Sequence, residues 1–92
     1  MGRRALRAVN FEVAVEVRGL EGIADPEGQT IERALPALGF AGVRNVRVGK
    51  LVRFALEASD EEGARREVEE MCARLLANPV IERASITIAP AP

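Results

Sequence analysis

The sequence predicts an α+β fold, a two-layer sandwich in which an antiparallel sheet of three to four strands is covered on one face by two helices, in the order β-α-β-(β)-α-β. Three observations support this prediction. Two segments alternate apolar and polar residues with a period of two, as strands with one buried face do. A β-branched run lies near the end of the chain. Between these segments, apolar residues recur at helical spacing.

The first strand is predicted over residues 9–18, where apolar side chains occupy every second position. Asn10, Glu12 and Glu16 fill positions between them, so one face of the strand should be buried and the other wet. Residues on the buried face are Val9, Phe11, Val13, Val15 and Val17.

A short helix is predicted to begin at Asp25, Pro26 and Glu27. Aspartate is a favoured N-cap, proline suits the first helical position, and glutamate in the first turn complements the helix dipole. Pro36 should kink or shorten the helix, because it interrupts the backbone hydrogen bonding, and Gly39 is a suitable C-cap. Its apolar face consists of Ile31, Ala34, Leu35 and Leu38.

Residues 43–58 contain a period-two pattern that passes Gly49 without a change of phase. A two-residue turn at Gly49 and Lys50 would divide the apolar side chains between two faces, so we do not expect it. Two alternatives keep them together: a hairpin with a three-residue loop from Gly49 to Leu51, or one long strand bent at Gly49. The residues in phase are Val46, Val48, Lys50, Val52, Phe54 and Leu56.

The length of this segment favours contact with another copy of the chain. A globular chain of 92 residues has a radius of gyration of about 12 Å and a diameter of roughly 32 Å. Twelve extended residues span about 40 Å, so an unbroken strand would extend beyond the monomer and need a partner sheet. A chain of this size also has a thin core, for which oligomerisation is a common remedy.

A second helix is predicted to start at a capping box formed by Ser59 and Glu62 and to stop before Asn78-Pro79. Its apolar face consists of Ala64, Val68, Met71, Cys72, Leu75 and Leu76. The last strand should then begin at Val80 and place on one side Val80, Ala84, Ile86 and Ile88. This order corresponds to a ferredoxin-like arrangement or a relative of it. The uncovered sheet face should be mixed in polarity, with Glu12, Glu16, Arg47 and Arg53.

We expect one domain over residues 9–89. A basic, flexible arm should precede it at residues 1–8, and a frayed tail should follow at residues 90–92. The chain contains no apolar run of the roughly 20 residues that a membrane span needs, and its N-terminus lacks the apolar segment of a signal peptide. With a single cysteine, the cytoplasm is the expected compartment.

Composition also restricts the function. The net charge is −1 and three phenylalanines are the only aromatic residues, so a nucleic-acid partner is not expected. The absence of histidine and tyrosine removes the commonest general base and most zinc sites. Cys72 falls on an apolar helix face and should be a core thiol rather than a nucleophile. We therefore predict no catalytic, cofactor-binding or metal-binding residue, and favour a binding, bridging or regulatory module.

Three blocks of the chain, in this order and at these spacings, carry a family pattern. They are Asp25-Pro26-Glu27-Gly28, Val46-Arg47-Val48-Gly49-Lys50, and the stretch from Met71-Cys72 through Leu75-Leu76-Ala77-Asn78-Pro79 to Glu82. Together they resemble the small PurS-type subunit of phosphoribosylformylglycinamidine synthase over residues 9–89. Two features depart from the family pattern: the longer N-terminal arm, and Ala73 in place of an acidic residue.

The resemblance implies a non-catalytic subunit of an enzyme that converts formylglycinamide ribonucleotide to its amidine, with ATP and glutamine, in de novo purine synthesis. A large synthetase subunit would use ATP and Mg²⁺, and a glutaminase subunit would supply ammonia. This chain would bind no cofactor itself. It would bridge the two other subunits, support ammonia transfer and self-associate as a homodimer or homotetramer.

The in-phase strand and its single lysine lead us to predict a surface for subunit contacts. Its residues are Asp25, Pro26, Gly28, Arg47, Gly49 and Lys50. An alternative function is a stand-alone ferredoxin-like regulatory domain, which predicts saturable binding of a small ligand by the isolated chain.

Overall fold

The computed structural model describes residues 8–92, in which three strands and two α-helices form. In chain order they are β1 (Val9–Gly19), α1 (Pro26–Ala34), β2 (Lys50–Ala58), α2 (Glu61–Met71) and β3 (Glu82–Pro90). A 3-10 turn (Leu35–Leu38) extends α1, and a π-helical turn (Cys72–Leu76) extends α2. The predicted α+β fold is confirmed, with three strands in its antiparallel sheet. The basic arm predicted at residues 1–8 lies, except for residue 8, outside the described residues.

Strand β1 is the middle strand and pairs antiparallel with β2 on one side and β3 on the other. Val15 lies opposite Val52 of β2 and Ile86 of β3. Because β2 and β3 run in the same direction on either side of β1, β2–α2–β3 is a split β-α-β unit. This register places the alternating apolar side chains of all three strands on one sheet face.

The hydrophobic core lies between this face and helix α2. Val15 and Val68 are fully buried at its centre, on the sheet and on the helix respectively. Cys72 is 7% exposed and belongs to the same cluster, which confirms its predicted core position. Partly buried side chains that surround the cluster are Val52, Phe54, Leu56, Leu76, Ala77, Ala84, Ile86 and Ile88.

The start of α2 differs from the predicted capping box. Asp60 is the N-cap, and its carboxylate accepts a hydrogen bond from Gly63 N at 2.7 Å. The prediction that Ser59 and Glu62 cap the helix is therefore wrong. Aspartate and serine are about equally good N-caps, and the helix begins after the second of the two adjacent candidates.

The end of α2 widens into a π turn, in which Ala77 N donates to Cys72 O at 3.1 Å, an i to i+5 bond. The wider turn changes which side chains face the sheet. Leu76 packs on the core, whereas Leu75 is 83% exposed. The prediction that both leucines lie on the buried helix face is wrong for Leu75, because it assumed a regular period of 3.6 residues.

Helix α1 begins at its predicted N-cap Asp25 and ends where Pro36 removes a backbone donor. Gly39 then takes the left-handed conformation of the predicted C-cap, with φ of 99°. The helix contacts mainly its own 3-10 extension, so α2 alone covers the sheet and the prediction of two helices on one face is wrong for α1. The two outer strands of a three-stranded sheet lie about 10 Å apart, and a single helix is wide enough to cover this distance.

The molecule is consequently elongated, measuring 59 × 30 × 14 Å with a radius of gyration of 17.9 Å. The prediction of a compact monomer, with a radius of gyration of about 12 Å, is wrong. Helix α1 and the segment that leads from it to β2 extend past the end of the sheet. Residues 43–49 form no regular secondary structure. A Cβ on Gly49 would lie 2.6 Å from Val17 O, so the chain passes alongside β1 into β2 without turning back. This excludes the hairpin and supports the continuous path, although strand pairing begins only at Lys50.

The connection from α2 to β3 is a turn built on Asn78. Its carbonyl oxygen accepts from Ile81 N and Glu82 N, and its side-chain Oδ1 accepts from Val80 N at 3.1 Å. In return, Asn78 N donates to the Glu82 carboxylate at 2.7 Å. The predicted stop at Asn78-Pro79 is confirmed. The strand starts at Glu82 rather than Val80, because the turn occupies the intervening backbone groups.

The second sheet face is open in the monomer and carries the exposed side chains of Glu12, Glu16 and Arg53. Arg47, predicted to share this face, instead precedes β2 and lies outside the sheet. At the C-terminus, β3 includes Pro90, and Ala91 N donates to Asn10 O at 2.8 Å. Residues 90 and 91 therefore extend the pairing of β3 with β1, and the frayed tail at residues 90–92 stays a prediction.

Candidate functional site at the α1–β2 junction

The predicted contact residues gather at one end of the sheet, where the start of α1 meets the segment that leads into β2. We call this region the α1–β2 junction and define it as residues 23–32 and 45–50. The first part supplies Asp25, Pro26 and Gly28, and the second supplies Arg47, Gly49 and Lys50. Asp25 and Gly28 are joined by a hydrogen bond, and Arg47 reaches the nearby Ile23 O. Gly49 and Lys50 lie where the chain enters the sheet.

Asp25 binds two parts of the chain with its two carboxylate oxygens. Oδ1 accepts a hydrogen bond from Gly28 N at 2.9 Å, which caps α1, and Oδ2 accepts one from Val48 N at 2.8 Å. The bond from Val48, followed by the bond from Gly28, holds the pKa of the Asp25 carboxyl below its ordinary value of 3.8. Partial desolvation opposes this shift, and the positive charge of Arg47 adds to it. Asp25 is therefore ionised at neutral pH and ties the helix start to the approach to β2.

Close packing and a second carboxylate reinforce this link. A Cβ on Gly28 would lie 2.6 Å from Val46 O and 2.7 Å from Asp25 Oδ2, so the helix backbone approaches the segment at a distance that only glycine permits. One turn further along α1, Glu32 Oε1 accepts a hydrogen bond from Val46 N at 3.0 Å. Helix α1 is thus held to residues 46–48 at two points.

The two basic residues of the junction remain accessible. Arg47 Nη1 donates to Ile23 O at 3.3 Å, and the exposed side chain borders a shallow cleft that Arg18, Asp25 and Glu82 also line. Lys50 is exposed at the first position of β2, opposite Val17. A charge in the apolar phase of the strand is accommodated here because the side chain reaches solvent at the strand end.

The described part of the chain offers little reactive chemistry. No group of three or more His, Cys, Asp or Glu side chains in residues 8–92 is placed to hold a metal ion. Burial, and secondarily the charge of Glu69, raises the pKa of the Cys72 thiol, which keeps it protonated and unreactive. None of the described helices combines the length and apolar character needed to span a membrane. The α1–β2 junction can therefore present a surface of fixed shape to a binding partner.

Over residues 12–90, the chain matches the family PurS, described as phosphoribosylformylglycinamidine (FGAM) synthase. The chain belongs to the PurS family. It is 48% identical over 75 residues to the PurS subunit of phosphoribosylformylglycinamidine synthase from Archaeoglobus fulgidus, covering 82% of this chain and 91% of that protein. It is 42% identical over 78 residues to the subunit from Methanocaldococcus jannaschii, covering 85% and 94%.

Solved PurS structures share the fold. The crystal structure of Methanocaldococcus jannaschii PurS, described as one of the subunits of formylglycinamide ribonucleotide amidotransferase in the purine biosynthetic pathway, matches with a TM-score of 0.80 and 39% identity, over 89% of this chain and 99% of that one. A chain in the structure of PurLQS from Thermotoga maritima matches with a TM-score of 0.81 and 34% identity, over 87% and 98%. The PurS fold therefore covers nearly the whole chain.

Sequence reasoning identified Asp25 as a helix cap and missed both its bond to Val48 and the role of Glu32. A signal for these contacts exists in the spacings. Asp25 and Glu32 are seven residues apart, which places them on one helix face, and backbone N–H groups two residues apart point to the same side of an extended segment. Nothing local indicates that this face and Val46-Val48 meet, because the contacts join residues 14 and 23 positions apart.

Proposed function

We propose that this chain is the small, non-catalytic subunit of the ATP- and glutamine-dependent phosphoribosylformylglycinamidine synthase of de novo purine biosynthesis. The observation that carries the proposal is the match over residues 12–90 to the PurS family, together with the similarity to a chain of the Thermotoga maritima PurLQS structure. In this role the chain bridges a glutaminase and a synthetase subunit in the cytoplasm and supports ammonia transfer between them. The synthetase subunit uses ATP and Mg²⁺, and this chain binds neither.

The character of the described surface supports a role in assembly. Large apolar side chains are exposed on α1, on its 3-10 extension and near the end of α2, where they contact water in the monomer. They include Ile31, Leu38 and Leu75, and further exposed apolar side chains are Phe40 and Val43 after the 3-10 extension and Leu51 on β2. Burying such side chains against another chain is favourable, and a thin core gains most from it. We therefore also propose that the chain self-associates as a homodimer or homotetramer.

Omission of this chain from a mixture with the synthetase and glutaminase subunits tests the main proposal. Amidine formation is measured with glutamine as the nitrogen donor and, separately, with a high concentration of ammonium. We expect omission to reduce the glutamine-dependent rate at least about tenfold, because ammonia then reaches the synthetase only by diffusion through solvent. The ammonium-dependent rate should be retained.

Either of two results would contradict this proposal. An unchanged glutamine-dependent rate would remove the role as a subunit, and saturable binding of a small ligand by the isolated chain would then favour a regulatory domain. An equal loss of both rates would show that the chain supports the synthetase itself rather than ammonia transfer.

We propose that the exposed side chains of Pro26, Arg47 and Lys50 contact a partner subunit, whereas Asp25, Gly28 and Gly49 shape this surface from within. Arg47→Ala and Lys50→Ala should each raise the concentration of chain that gives half-maximal glutamine-dependent activity by about five- to tenfold, as loss of a charged interface contact does. Arg66→Ala is the matched control, because Arg66 is exposed on α2 and pairs only with Glu62 of its own helix among the described residues. The contact proposal fails if all three variants behave alike.

A further inference from the structure

The two α-helices in the described part of the chain start in the same way, with one difference. Each has the sequence Asp-x-x-Gly, and in each the aspartate carboxylate accepts a hydrogen bond from the glycine N, at 2.9 Å for Asp25 and 2.7 Å for Asp60. Only Asp25, among these two caps, also binds outside its helix, through Oδ2 to Val48 N, 23 residues away. Helix capping needs one oxygen, so the second bond has a separate role.

That role follows from how α1 is held. Helix α2 is fixed by its packing on the sheet, whereas α1 makes no comparable contact with it. What positions α1 is the extended segment before β2, whose N–H groups at Val46 and Val48 point to α1 as the N–H groups of an edge strand point to a neighbouring strand. Glu32 and Asp25 take the place of that strand's carbonyl groups.

We propose that Asp25 is a positioning residue whose bond to Val48 sets the orientation of α1, and with it the exposed apolar side chains Ile31 and Leu38, in the assembled enzyme. The inference rests on the proposed function as a subunit and deepens it. Asp25 itself then acts through α1 and need not touch a partner. This role requires a carboxylate, because the two N–H donors approach different oxygens of Asp25 and an amide would present its NH₂ group to one of them.

The matched pair Asp25→Asn and Asp60→Asn separates positioning from capping. Asparagine is as good an N-cap as aspartate, so each variant keeps its helix start. At position 25, however, the amide NH₂ replaces the oxygen that Val48 N approaches, and a donor then faces a donor. We expect Asp25→Asn to raise the concentration of chain that gives half-maximal glutamine-dependent activity about tenfold, with the rate at saturating chain unchanged. Asp60→Asn should match the original chain in both quantities.

A backbone change at Val48 provides the second measurement. Replacing Val48 with its α-hydroxy acid exchanges the N–H for an ester oxygen and leaves the Asp25 carboxylate intact. This ester should produce the same shift in half-saturating concentration as Asp25→Asn, and the two changes together should produce no further shift, because they remove one hydrogen bond. The small-angle X-ray radius of gyration should change in both variants and stay constant in Asp60→Asn.

The pH dependence gives a readout that loss of packing would not produce. The Val48 amide proton resonance should titrate with the Asp25 carboxyl, below pH 3.8, and should not do so in Asp25→Asn. Other charged groups that face this position are Glu32 and Glu21 from α1 and the loop before it, Arg47 from the segment before β2, and Arg18 and Glu82 from the sheet end. These groups are present in the original chain and in Asp25→Asn, so the difference between the two Val48 titrations is due to Asp25.

Equal half-saturating concentrations for Asp25→Asn and Asp60→Asn, or additive effects of Asp25→Asn and the Val48 ester, would overturn the positioning role. These outcomes are distinct from failure of the proposed function, in which omission of the chain leaves glutamine-dependent activity unchanged. If Asp25→Asn is too unstable to assay, the half-saturating concentration of the Val48 ester alone tests the positioning role. Full activity at the original half-saturating concentration would then contradict the proposal.

Discussion

Val68→Ala is expected to lower the free energy of unfolding by about 2–3 kcal/mol, the cost of removing two buried methyl groups and leaving a cavity. Val68 is fully buried where α2 meets β1, and it joins the sheet and the helix in one core. Few other residues can compensate, because the core is one layer of side chains thick. For a domain of this size the midpoint of thermal unfolding should fall by roughly 10–20 °C, measured at a fixed chain concentration.

Val80→Ala removes the same atoms at a position that is 78% exposed and serves as the control. Its effect should stay within about 0.5 kcal/mol. Similar losses of stability in the two variants would mean that the packing of α2 on the sheet is not what stabilises the chain.

Gly49→Ala is the second change with a large expected effect. The new Cβ would lie 2.6 Å from Val17 O, a backbone atom of the central strand that cannot move without disturbing the β1–β2 register. Overpacking of this kind costs about 1–3 kcal/mol. Denaturant unfolding should show this loss, and amide hydrogen exchange should increase at the first residues of β2.

Gly42→Ala is the matched control for this variant. No atom lies within 4 Å of the Cβ that it would add, and alanine restricts the unfolded chain more than glycine does. Its stability should therefore be equal to or slightly greater than that of the original chain. If Gly49→Ala were as stable as Gly42→Ala, the close approach at Gly49 would not constrain the entry into β2.

The strands and the core could be predicted from the sequence because their information is local. Alternation along β1 identifies the buried face, and the unbroken phase of Val52, Phe54 and Leu56 identifies the matching face of β2. The N-cap at Asp25 and the stop at Asn78 were likewise local signals. These patterns depend on neighbouring residues alone, so no knowledge of the tertiary structure is needed to interpret them.

The position of α1 could not be predicted in the same way. Its apolar face indicates burial, but an amphipathic pattern does not indicate which surface the helix packs on. The sheet is narrow and its apolar face is already covered by α2, so α1 does not pack there. The same limitation applies to the junction. Its residues were identified, yet the bonds of Asp25 and Glu32 to Val48 and Val46 depend on where α1 lies.

The central position of β1 has a consequence for how the chain acquires its structure. All ladder hydrogen bonds of the sheet involve β1, which is made early, and half of them need β3, which is made about 70 residues later. Its valines must therefore stay exposed during synthesis until residues 82–90 have emerged. Contacts this distant in sequence slow folding, so the emerging chain should depend on rapid closure by its last strand, or on a chaperone, to avoid aggregation.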